Sequence, residues 1–122
     1  MKPFLTFAVI AMLTSAALAA DAPITHVVSF KFKADASPEA IHQVEVAFAA
    51  LKGKIPVVQS LEWGTNVSPE KHDKGFTHCW IVTFKNAADR DAYLVHPDHK
   101  AFAGSLKGII DDVFVVDFVP HE

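Results

Sequence analysis

The chain carries seven histidines, one tyrosine and one cysteine, and the run Tyr93-Leu94-Val95-His96-Pro97-Asp98-His99 gathers several of them. An imidazole can take or give a proton near neutral pH, and a phenol can donate to an oxygen that is gaining negative charge. Pro97 interrupts any helix through this run, so the chain turns between Tyr93 and His99. His99 then leads Phe102, Ala103 and Leu106 at helical spacing. A histidine at the head of an apolar stripe faces the core or a cavity against it. His26 and His78 each lie in phase with the large apolar residues of a predicted strand. Two readings of them stay open: neutral core histidines bonded to backbone or to each other, or polar points in an apolar small-molecule pocket. His42, His72 and His121 read as solvated. His96, Asp98 and His99 could be imagined as metal ligands, but no second cluster completes a zinc site and Pro97 breaks the helical spacing.

The elements that would position these groups follow from periodicity. Residues 24–33 alternate, with Ile24, His26, Val28, Phe30 and Phe32 on one face, and predict a strand. Ser37 is a good N-cap and Pro38 suits a first helical position. Ile41, Val44, Phe48 and Leu51 then recur at helical spacing until Gly53 and Pro56 stop the run. Strands are predicted over 57–64 and 76–85, with Phe76, His78, Trp80, Val82 and Phe84 on one side and Cys79 and Ile81 on the other. Asn86 caps a helix to about Val95, Pro97 opens another to about Leu106, and 112–119 is a last strand. The order β-α-β-β-α-β is α+β and ferredoxin-like, with helices on one face of an antiparallel sheet. Both sides of the later strands are apolar, so the uncovered face calls for a partner, and a symmetric homodimer is the economical solution. Cys79 lies on that face and is read as packing.

Residues 1–19 read as a cleavable signal peptide: Lys2, an apolar run from Phe4 to Leu13, and Ala17-Leu18-Ala19 before the cut. The expected mature chain, residues 20–122, has one domain, no stable membrane insertion and a periplasmic or secreted location. It keeps 10 basic against 14 acidic residues, a formal charge of −4. Its basic residues are scattered, which argues against nucleic acid as a partner. A single cysteine excludes an internal disulfide.

Five segments in order, together covering nearly all of the mature chain, carry a resemblance. They are His26-Val27-Val28-Ser29-Phe30-Lys31-Phe32-Lys33, Ile55-Pro56, Glu62-Trp63-Gly64, Gly75-Phe76-Thr77-His78, and Tyr93 with His96-Pro97-Asp98-His99. They resemble the stress-responsive dimeric α/β barrel family. The resemblance implies that two ferredoxin-like sheets close into a barrel with helices outside. Many members have no assigned activity; one plant member is a polyketide cyclase. By that resemblance His99 would be a general base and Tyr93 would hydrogen-bond a substrate carbonyl. His26, His78 and His96, with Val28, Phe30, Phe48 and Trp80, would line the substrate pocket. Trp80 would reduce the room in it, and Phe48 offers no hydroxyl. The expectation is an exported homodimer with an apolar pocket, acting without cofactor or metal as a lyase, cyclase or isomerase on an apolar carbonyl compound. A non-catalytic ligand-binding or structural stress protein is the alternative, with metal or haem binding a third class.

Overall fold

The computed structural model describes residues 20–122, so the leader expected over 1–19 lies outside the described residues. The elements run β1 (Ile24–Phe32), α1 (Pro38–Lys54), β2 (Ser60–Thr65), β3 (His78–Phe84), α2 (Ala87–Val95), α3 (Pro97–Ser105) and β4 (Ile110–Phe118). The helix starts are set by short polar side chains. Ser37 Oγ accepts from the Ala40 amide at 3.1 Å, and the Asn86 side chain accepts from the Asp89 amide at 2.9 Å.

The strands form one antiparallel sheet in the order β2-β3-β1-β4, the ferredoxin-like arrangement. Register decides which side chains share a face. Val28 pairs with Trp80 and Val115, and His26 with Val82 and Asp117. These point towards the helices, where Phe30, Trp80, Val82 and Phe84 pack against Val44, Phe48 and Leu51 of α1, Tyr93 of α2 and Phe102 of α3. Trp80 is fully buried, stacked on Phe48 at 4.2 Å between ring centroids and on Trp63 at 4.7 Å.

The opposite face carries Val27, Ile81, Val116, Phe114 and Phe118. No helix among the described residues covers it, and Phe114 remains 54 % exposed. Cys79, paired with Ser29, lies exposed on this same face.

Strand β3 begins two residues later than periodicity predicts, at His78. Lys71, Lys74 and Gly75 take positive φ just before it. At Gly75, with φ +86°, glycine is needed for the backbone angle, whereas an added Cβ would only push aside the flexible end of Lys31. This turn removes Phe76 from the phase of His78. Phe76 packs edge-on against Phe114 of the open face, centroids 6.4 Å apart. Strand β2 also starts late, because the Val58 amide closes a turn onto the Ile55 carbonyl at 3.1 Å.

Candidate functional site

The break at Pro97 builds the site. His96, before the proline, is extended at φ −64° and ψ 138° and caps the next helix, as the residue before a proline is driven to do. Its Nδ1 accepts from the Asp98 amide at 3.1 Å. That bond anchors the start of α3 and holds the His96 ring away from the cavity described next. The turn folds His99 back onto Tyr93, with ring centroids 4.5 Å apart. Nδ1 of His99 donates to the Leu94 carbonyl at 3.1 Å. A carbonyl oxygen can only accept, so the neutral ring carries its proton on Nδ1 and its lone pair on Nε2.

A cavity of about 540 Å³ lies between α2, α3 and the β1–β4 half of the sheet. His26, Val28, Phe30, Phe48, Tyr93 and His99 line it, with Phe102, Leu106, Val113 and Val115 supplying further apolar wall and Lys107 and Asp117 adding polar groups. Tyr93 is fully buried, and its hydroxyl has no hydrogen-bond partner among the described residues. Burial pushes that phenol above its ordinary range, so it is a donor that does not ionise. Burial likewise lowers the pKa of His99, against the bond to Leu94, and the neighbouring His26 lowers it further. His99 is therefore neutral at lower pH than a solvated imidazole.

His26 is buried, 4 % exposed. Its Nδ1 lies 2.5 Å from Asp117 Oδ1, and Asp117 Oδ2 accepts from Arg90 at 2.7 Å. Burial raises the Asp117 pKa, but the bonds from Arg90 and His26 outweigh it and leave the carboxyl below its ordinary value. The partner of His26 is thus neither backbone nor another histidine. Sequence reading passed over Asp117 and Arg90, which lie 91 and 64 positions from His26. One signal was available: on the inner face of β4, Val113 and Val115 are followed by a carboxylate, and a carboxylate there needs a partner.

The other residues expected in the pocket lie elsewhere. Trp80 is screened from the cavity by Phe48, which stacks flat against it. His78 sits four residues along the ladder from His26, opposite Phe30, about 13 Å away at strand rise. It holds Glu45 Oε2 at 2.7 Å and Thr77 Oγ1 at 2.8 Å, and stacks on Trp63. The His78 hydrogen bond is the main cause that keeps Glu45 below its ordinary pKa. A larger hollow, about 660 Å³, reaches His78 along with Trp63, Phe76, Cys79 and Phe114. It opens on the uncovered sheet face, away from Tyr93 and His99. The apolar enclosure and the convergent polar groups belong to the smaller cavity. Among the described residues no group of three or more His, Cys, Asp or Glu side chains is placed to hold a metal ion.

A ferredoxin-like sheet with an apolar, histidine-bearing cavity under its helices defines the class of this protein. Within that class the chain belongs to the stress responsive A/B barrel domain family, whose model matches residues 24–120. It is 35 % identical over 101 residues to the stress-response A/B barrel domain-containing protein HS1 of Arabidopsis thaliana, covering 83 % of this chain and 93 % of that one. It is 23 % identical over 99 residues to olivetolic acid cyclase of Cannabis sativa, covering 81 % and 98 %. Among solved structures, hydroxynitrile lyase from Passiflora edulis superposes with a TM-score of 0.78 at 25 % identity, covering 84 % and 96 %. A dimeric ferredoxin-like protein of unknown function from Bacteroides fragilis gives 0.66 at 27 %, covering 80 % and 96 %.

Proposed function

We propose that the cavity beneath α2 and α3 is the active site of a cofactor-independent acid–base enzyme of the lyase, cyclase or isomerase type, acting on an apolar carbonyl compound. The observation that carries this reading is the pairing of a fully buried, unpartnered Tyr93 hydroxyl with a neutral His99 whose Nδ1 is occupied by the Leu94 carbonyl. His99 Nε2 takes a proton from the carbon next to the substrate carbonyl. The C–H electron pair becomes the enolate double bond, and Tyr93 donates to the oxygen on which charge develops. Returning the proton to a different carbon isomerises the substrate; attack of the enolate carbon on a second carbonyl of the same molecule cyclises it, the carbonyl π pair passing to oxygen as an alkoxide that takes the proton back from His99. No electron leaves the substrate, so no redox partner is required. The named activities of two related proteins, a cyclase and a hydroxynitrile lyase, support this class of chemistry.

The acting unit is a homodimer, in keeping with the dimeric neighbours; its uncovered apolar sheet face is the surface that joins the two copies, and the dimer works after export. Incubation with phenylacetone in heavy water, followed by proton NMR, tests the reaction. The expected result is deuterium entering the α-carbons above the buffer rate, slowed by about 10²-fold in His99→Ala. Binding of phenylacetone to the cavity without any exchange would replace this reading with a non-catalytic ligand carrier.

A further inference from the structure

The side chains of Arg90, Asp117, His26 and Tyr93 form a chain of contacts whose two ends are carried by the same helix. Arg90 and Tyr93 stand three residues apart on α2, Asp117 is on β4 and His26 on β1. Arg90 donates to Asp117 at 2.7 Å, Asp117 meets His26 Nδ1 at 2.5 Å, and the His26 ring packs edge-on to the Tyr93 ring at 5.9 Å. Arg90 also holds Asp91 at 2.8 Å, so the guanidinium is engaged on both sides. His26 further contacts Phe84, centroids 6.2 Å apart, which leaves its ring little freedom to turn.

We infer that Arg90 and Asp117 are positioning residues: they fix the proton of the buried His26 on Nδ1 and set its Nε2 as a second proton-handling atom of the cavity. A carboxylate can only accept, so Nδ1 must carry the proton that the contact shares. With His99 bonded through Nδ1 to a carbonyl, both cavity histidines then have the same tautomer, and both Nε2 atoms are left without a partner among the described residues. Their backing differs: His99 leans on a neutral carbonyl, His26 on an ionised carboxylate. That asymmetry suits a division in which His99 accepts and returns the proton of the substrate carbon, while the bare Nε2 of His26 accepts a hydrogen bond or a second proton from a substrate hydroxyl. Arg90 contributes by keeping Asp117 ionised and by tying α2, and so Tyr93, to β4. The division of labour rests on the acid–base reading above, whereas the tautomer does not.

Long-range proton–nitrogen NMR of the imidazole rings tests both parts. In the wild-type protein at mildly alkaline pH, the His26 proton is expected on Nδ1. Asp117→Leu, of similar size, is expected to move it to Nε2. It should also lower kcat for phenylacetone exchange by about 10²-fold with little change in KM. If Asp117→Leu does not fold, Arg90→Gln is expected to give a mixed tautomer and a smaller fall in kcat. A wild-type His26 protonated on Nε2, or a tautomer change that leaves kcat unmoved, overturns the inference. A tautomer switch in a protein whose wild type shows no exchange removes the proposed reaction and supports the clamp.

Discussion

Tyr93 buries its whole side chain while its hydroxyl finds no partner among the described residues, which is a cost in stability and an opening for a ligand. Tyr93→Phe is therefore expected to fold with unchanged stability or up to about 1 kcal/mol more, while phenylacetone exchange falls; urea titration and the exchange assay measure the two. A loss of stability in that variant would mean that the hydroxyl is bonded after all. His99 gives a pH signature. Burial lowers its pKa in the folded protein, so as pH drops below about 6.5 the unfolded chain binds the proton first. Stability present above that pH is lost as pH falls towards the folded value. The urea midpoint of the wild type should consequently decline more steeply between about pH 7 and pH 5 than that of His99→Gln, which cannot titrate there. Equal slopes would show that His99 is solvated in the folded state.

At the scale of elements, the site depends on two helices joined without a loop. Pro97 supplies the joint, because a proline has no amide to continue α2 and its ring keeps His96 extended. Pro97→Ala is expected to let helix run through His96 and carry His99 away from Tyr93. The check is loss of the nuclear Overhauser contact between the two rings, with the core otherwise intact. The caps act more modestly. Ser37→Ala should cost about 1 kcal/mol in urea titration, since Ser37 holds one amide at the start of α1. The Trp80 stack is a different kind of element contact. It cements α1 to β3 and β2 through Phe48 and Trp63, and Trp80→Ala should cost about 3–5 kcal/mol.

At the scale of the whole molecule, the described residues leave one sheet face with Val27, Ile81, Phe114, Val116 and Phe118 uncovered. An isologous contact through such a patch needs only self-complementarity. Sedimentation at micromolar concentration is expected to give a dimer for the wild type and a monomer for Val116→Asp, which places a charge in the middle of the patch. A wild-type monomer would withdraw the dimer. The cavity lies on the other side of the sheet, so a folded monomer should still bind phenylacetone.

Local rules were enough for the element order, the caps at Ser37 and Asn86, and the return of His99 towards Tyr93. Each depends on neighbours within a few positions, where spacing and sterics are decisive. Periodicity likewise placed His26, Val28, Phe30 and Phe48 on the faces that meet the cavity. The partner of His26 could not be read this way, because strand register alone brings Asp117 opposite it. Strand phase also failed at Phe76, where three positive-φ residues reset the chain. It could not separate His78 from His26 either, since sharing a face does not mean sharing a site. Trp80 shares the cavity's side of the sheet by its phase, but packing keeps it out: Phe48 stacks flat against it and lines the cavity in its place. Alternation along a strand fixes only the side of the sheet a residue faces, while distance along and across the sheet is set by pairing and by the bulk of side chains from other elements.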